Sequence, residues 1–199
     1  MIIDTYHKKV ISKYIIDDFL KIKKKCTNCG ELTSLDDFGK DKSIKSGIHS
    51  CCKKCRNKRN VKYYNTESGY LRKLYNDMCR NDKWRATKTK CYISFEELYA
   101  AFKKHKSIYG MKSAWGPGID HLDKHLPITM IFKGDSAWKR GEGKRTASNL
   151  SVDRLDSSID YTLQNIIFIR GDENARKKDT SYEDCKIQIR LHEERFINI

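Results

Sequence analysis

Apolar and polar residues alternate most clearly in the last third of the chain. There Leu150 and Val152 are interleaved with Ser151 and Asp153, a period of two that predicts a strand with one buried face. A polar turn follows from Asp156 to Asp160. The β-rich run Ile166-Ile167-Phe168-Ile169 comes next, and then a polar segment that opens a helix at Gly171 or Asp172. Strand, turn, strand and helix within residues 150–178 are too few to bury a core of their own. Such a unit usually persists because it presents a site.

Elsewhere the pattern is weaker and the elements shorter. Val10, Ile11, Tyr14 and Ile15 fit a short helix, and Lys21 to Lys25 continue as a basic strand or linker. The tyrosine-bearing basic stretch from Arg56 to Tyr75 reads as one or two helices broken near Ser68-Gly69. Its tyrosines suit stacking on bases or half-buried helix packing alike. Cys91-Tyr92-Ile93 reads as a short strand. Ser94 with Glu97 forms a capping box that opens a helix through Leu98, Phe102 and His105. Trp115-Gly116-Pro117-Gly118 is the strongest break, Pro127 to Phe132 a strand, and Lys133 to Asn149 a long Gly- and Lys-rich loop. A second capping box, Thr180 with Glu183, opens a helix carrying Tyr182, Cys185, Ile189 and Phe196. The alternation of Ile187, Ile189 and Leu191 leaves a strand as its alternative.

Charge narrows the classes. Lysine and arginine number 41 against 26 acidic residues, a net +15 in 199 residues. That excess attracts polyanions. No apolar run has the length of a membrane span, and the N-terminus lacks a signal peptide's apolar core. The expectation is an intracellular protein, in host cytoplasm or nucleus or nucleoid, neither secreted nor membrane-bound. Cysteines in a reducing compartment then point to metal more than to disulfides. Cys26-Thr27-Asn28-Cys29 and Cys52-Lys53-Lys54-Cys55 are two knuckles suited to a tetrahedral four-cysteine site for structural Zn²⁺. Gly30 relieves the first turn, and Lys53, Lys54 and Arg56 favour thiolates. Phe38 and Ile48 are a minimal core that needs a staple. Cys51 beside Cys52 leaves a less regular register open.

Within the strand–turn–strand–helix unit, Asp153 ends the first strand, Asn165 enters the second and Asn174 lies one turn into the helix. A helix packed across the hairpin brings Asp153 and Asn174 together, and their hard oxygens suit Mg²⁺ or Mn²⁺. The run Asp153-Arg154-Leu155-Asp156, then Tyr161-Thr162, Asn165-Ile166-Ile167, and Asn174 followed by Lys177 resembles the ββα-metal (HNH, His-Me finger) nucleases of phages and large viruses. The finger resembles those fused to such proteins. The resemblance implies a metal-dependent endonuclease with Asp153 and Asn174 as metal ligands and Asn165 bracing the loop. It departs from the pattern at Arg154, which stands where the family has its general-base histidine and cannot accept a proton. His121 is then the first candidate base and His125 the second, with Tyr161 or metal-bound hydroxide as alternatives.

The expected fold is α+β, with a basic leader over 1–25, a zinc finger of four cysteines over 26–62, a helical connector over 63–112 and an HNH-like domain over 113–199. The expected partner is double-stranded DNA, cut at a phosphodiester bond. Phosphate contacts are expected from Lys53, Lys54, Arg56, Arg59, Lys144, Arg145, Arg170, Arg176 and Lys177. The alternative is a non-catalytic zinc-finger nucleic-acid-binding protein with a degenerate HNH fold. A third reading is an RNA binder that uses the tyrosines and the finger.

Overall fold

The computed structural model describes residues 14–17, 21–81, 89–115, 125–134, 146–177, 186, 187, 190 and 194. The chain mixes helix and strand and divides into two units, Met1–Lys62 and Tyr63–Ile199.

In the first unit, β1 (Tyr14–Asp17), β2 (Lys21–Lys25) and β3 (Leu32–Ser34) form an antiparallel sheet in that order. The short helix expected around Val10 to Ile15 is not what forms over its described part. Tyr14, Ile15 and Ile16 are strand, paired with Lys24, Lys23 and Ile22. Aromatic and β-branched residues favour a pleated partner when one is at hand, and the basic strand β2 supplies it. A single 3-10 turn, Leu35–Asp37, follows β3 and is capped by Ser34, whose hydroxyl accepts from the Asp36 N–H. β4 (Phe38–Lys40) then pairs with β5 (Ile48–Cys52), Phe38 opposite Cys52. Helix α1 (Lys53–Tyr64) leaves β5 with no intervening residue.

The second unit is organised by a hairpin. β6 (Leu150–Arg154) and β7 (Ile166–Arg170) are antiparallel, with Val152 opposite Phe168 and Asp153 opposite Ile167. Side chains alternate across a sheet. Leu150, Val152, Ile166 and Phe168 therefore face one layer while Ser151, Asp153, Ile167 and Ile169 face the other. The first layer is built by α2 (Glu67–Asn81) and α3 (Phe95–Tyr109), whose Tyr70, Leu71, Leu74, Leu98 and Phe102 share a core with the hairpin. Phe102 and Phe168 meet edge-on at 5.3 Å. On the second layer Ile167 and Ile169 pack with Ala114, Trp115 and Leu155. Helix α4 (Gly171–Arg176) follows β7 directly. The helices of 63–112 thus form one wall of the hairpin's core.

Three local expectations changed. The break between α1 and α2 falls at Asn65-Thr66, and Ser68-Gly69 lie inside α2. Thr66 starts α2 by accepting from the Gly69 N–H at 3.1 Å. Gly69 is there for space, since a Cβ would stand 2.1 Å from the Tyr63 carbonyl oxygen. Residues 127–132 make only isolated bridges, Lys112 with Pro127 and Thr129 with Asn149. A side chain holds the segment instead: Asn149 accepts from the Ile131 N–H at 2.9 Å and donates to the Ile131 carbonyl at 2.7 Å. Cys91 likewise forms a single bridge, to Tyr161. The Ser94–Glu97 capping box is present with both of its hydrogen bonds. Of the helix expected after Thr180, residues 186, 187 and 190 are helical.

Phe168 is shared between hairpin and helices, so Phe168→Ala should cost about 3–5 kcal/mol in urea unfolding. A loss under about 1 kcal/mol would show that this wall carries little of the stability.

Candidate functional site

The four sulfurs of Cys26, Cys29, Cys52 and Cys55 lie within 4.8 Å of one another. Local sequence brings each pair together. The first knuckle closes when the Gly30 N–H donates to the Cys26 carbonyl at 3.0 Å, with Gly30 at φ +75°. Glycine takes this left-handed conformation without a side-chain clash. The second knuckle spans the junction of β5 and α1, Cys52 ending the strand and Cys55 lying in the first helical turn. Backbone donors converge on the sulfurs: Asn28 N–H to Cys26 Sγ at 3.4 Å, Cys52 N–H to Cys26 Sγ at 3.3 Å, and Cys55 N–H to Cys52 Sγ at 3.5 Å. Cys51 packs beside this set without being one of its four sulfurs, and its thiol donates to the Cys52 carbonyl at 3.7 Å.

Without an ion the cluster concentrates its charge on one sulfur. The Cys52 backbone N–H, followed by that of Cys29, draws Cys26 down to about 5. Cys29 is drawn down by the Glu31 N–H, yet loss of hydration and the hydrogen bonds with Cys26 and Cys55 push it up to about 12. A divalent ion would relieve that competition by binding all four sulfurs as thiolates. The soft donor set, the closeness of its four sulfurs and the N–H···S bonds fit a metal ion, and the cluster could hold a structural zinc. Four thiolates fill a tetrahedral site, which leaves no position for water.

Around it, Lys54, Lys58, Arg59 and Lys62 are exposed on α1, whereas Arg56 is partly buried. Its guanidinium lies so close over Gly39 that a Cβ there would meet Nη1 at 2.5 Å. Lys53 donates to the Asp36 carbonyl at 2.5 Å. Nearby, the Asp41 carboxylate accepts from the Ser43 hydroxyl, which with the Ser43 N–H holds it below its usual range, and it pairs with His49 at 3.1 Å.

In the second unit, strand, strand and helix occur in the ββα order. Asn165 closes the loop between the strands. Its Oδ1 accepts from the Asp156 N–H at 2.8 Å, and its amide donates to the carbonyls of Asp156 and Asp160, each at 3.0 Å. Arg154 is turned into the same loop. It donates to the carbonyls of Ser157 and Ile159 at 2.6 and 3.0 Å and lies 5.3 Å from the Tyr161 ring centre. Asp153 projects on the other face, beside α4. There its Oδ2 accepts from Lys177 Nζ at 2.9 Å, and the same ammonium donates to the Arg154 carbonyl. The Asn174 amide nitrogen donates to Ser151 Oγ at 2.8 Å.

This arrangement does not fit the expected Mg²⁺ or Mn²⁺. Such a dication keeps several waters, is held by one or two carboxylates together with substrate phosphates, and is favoured by net negative charge. Asp153 and Asn174 offer two side chains, and the one carboxylate is already neutralised by a buried ammonium. The remaining phosphate contacts divide. Arg176 is exposed. Arg170 is committed to Asp172 at 2.6 Å and to the Pro127 carbonyl at 3.0 Å. His125 packs edge-on against Tyr109, with ring centres 5.1 Å apart. His121, Lys144 and Arg145 lie outside the described residues.

Sequence reasoning missed Glu173. It is 1% exposed, accepts from the Ser113 hydroxyl and from the Arg170 N–H at 3.0 Å, and leaves Oε1 without a hydrogen-bond partner. Its signal lay in being the acid three residues after Arg170 at the start of α4. Comparison with protein-family models and with curated proteins finds no match to this chain. Among the described residues no helix is long and apolar enough to cross a membrane.

Two outcomes follow from these geometries. Metal analysis should find about one zinc per chain, lost when Cys26 and Cys29 become serine; zinc retained in that variant would place it elsewhere. Burial, ahead of all other causes, raises the Glu173 carboxyl above its ordinary 4.5, so the folded state holds that proton more tightly than the unfolded chain. The stability linked to it is complete below pH 4.5 and falls as pH rises toward the folded value. Glu173→Gln should flatten that fall in unfolding measured from acid to neutral pH. An unchanged slope would show that the carboxyl is not the group responsible.

Proposed function

We propose that this is a zinc-finger nucleic-acid-binding protein that docks on duplex DNA through α1, with its ββα unit serving as scaffold rather than catalyst. One observation carries the reading. The helix rooted in the cysteine cluster presents Lys54, Lys58, Arg59 and Lys62 to solvent and contains no acidic residue. Lys54, Lys58 and Lys62 recur every four residues and so share one face of the helix. Such cations give a line of phosphate contacts whose affinity comes from counterion release. A structural ion at the foot of the helix would fix its direction relative to β5.

A second reading, the DNA endonuclease implied by the resemblance to HNH proteins, draws on the ββα order of β6, β7 and α4. Asp153 and Asn174 then stand for its catalytic residues and Mg²⁺ or Mn²⁺ for its cofactor. Against it weigh the commitment of Arg154 to loop carbonyls and of Asp153 to Lys177.

Both readings meet in one experiment with zinc-loaded protein and a labelled duplex. Affinity should fall by orders of magnitude between about 50 and 200 mM salt. Lys54→Ala, Lys58→Ala and Arg59→Ala should each reduce the slope of log affinity against log salt by roughly one. A flat slope in the parent would remove the docking proposal. Cleavage of the duplex in Mg²⁺ or Mn²⁺, abolished by Asp153→Ala, would establish the endonuclease in its place.

A further inference from the structure

A cation of the chain itself stands beside Asp153. Lys177 sits at the end of α4 with its side chain 6% exposed, and the Asp153 side chain is 16% exposed. Lysine is rarely buried unless its charge is compensated. Here the compensation comes from three directions: the Asp153 carboxylate at 2.9 Å, the Arg154 backbone carbonyl, and the face of Trp115, whose ring centre is 5.9 Å from Nζ. A carboxylate oxygen and a carbonyl oxygen are the donors a hard cation would seek, and the ammonium holds both.

Displacing this ammonium is costly. Ejecting it leaves the long stem without its charge partner beside Trp115, and removing one member of a buried pair is strongly destabilising. An incoming dication would then have to take Asp153, the carboxylate that the ammonium holds. Asn174, the other expected ligand, donates its amide nitrogen to Ser151 Oγ, and its uncharged oxygen adds no negative charge for a dication. The balance differs as well: Lys177 neutralises Asp153, whereas a dication there leaves an uncompensated positive charge.

We propose that Lys177 is the resident cation of the hairpin–helix unit, taking the place a divalent ion would hold and fastening α4 to β6 without metal. This goes beyond the docking proposal and does not depend on it, because DNA affinity and ion uptake are measured separately. It also makes Lys177 the barrier to an ion. Removing the ammonium while leaving Asp153 should open a site for a dication.

The test is Mn²⁺ titration followed by electron paramagnetic resonance on the full zinc-loaded chain. It compares the parent, Asp153→Asn, Lys177→Ala, Lys177→Met and each Lys177 variant combined with Asp153→Asn. Lys177→Met keeps an apolar stem against Trp115, so a folded variant is in hand if Lys177→Ala unfolds; circular dichroism decides which one is read. The parent should show no Mn²⁺ that Asp153→Asn removes. The folded Lys177 variant should take up about one Mn²⁺, with affinity roughly tenfold or more above the parent, a change of about 1.4 kcal/mol. The corresponding double variant should lose it. Asp153-dependent uptake by the parent would overturn the proposal. So would a folded Lys177 variant that takes up none, since the ammonium would then not be what keeps the ion out.

Discussion

Strand β7 is buried on both faces, and the second unit follows from that constraint. Ile166, Ile167, Phe168 and Ile169 are each at most 1% exposed. A two-stranded ribbon cannot cover itself, so a layer is required on each side. On one side α2 and α3 provide it. On the other, the segment carrying Ala114 and Trp115 packs with Leu155. Polar groups enter only where they are tied: Asp153 to Lys177, Asn165 to the loop carbonyls, Glu173 to Ser113 and the Arg170 N–H. Buried atoms left without a hydrogen bond there include Arg154 Nε and Glu173 Oε1, and at Glu173 burial raises the carboxyl.

Much of this was legible in the residues because the signals are local. Two C-x2-C pairs specify knuckles through chain geometry, and the structure brings those four sulfurs together. The Ser94–Glu97 box depends on three residues of spacing, and the β6–β7 alternation on neighbouring positions. What escaped depends on direction across elements. Nothing in the order Asp153, Arg154 … Lys177 says which of the two basic side chains turns toward the carboxylate. The strand's alternation decides it: Arg154 falls on the opposite face from Asp153 and is spent on the loop, so the ammonium arriving from α4 meets Asp153 instead.

The misreadings have equally specific causes. Tyr14 and Ile15 sit at a spacing that suits a helix, yet their aromatic and β-branched character favoured pairing once β2 lay alongside. Residues 127–132 have a strand's composition, but Asn149 supplies hydrogen bonds that a neighbouring strand would otherwise provide. Gly69 looked like a helix breaker, whereas the helix needs its missing side chain so that the Tyr63 carbonyl can approach.

The direct passage from β5 into α1 sets the azimuth of the finger's basic face. A zinc ion held by the cluster would fix the sulfurs of Cys52 and Cys55 to one point, so the first helical turn would have no freedom to rotate about its axis. With about 3.6 residues per turn, each position beyond Cys55 then points in a settled direction. One uncharged residue inserted between Cys55 and Lys58 would swing Lys58, Arg59 and Lys62 together by about 100°, leaving the net charge unchanged while aiming the cations at a different flank of the unit.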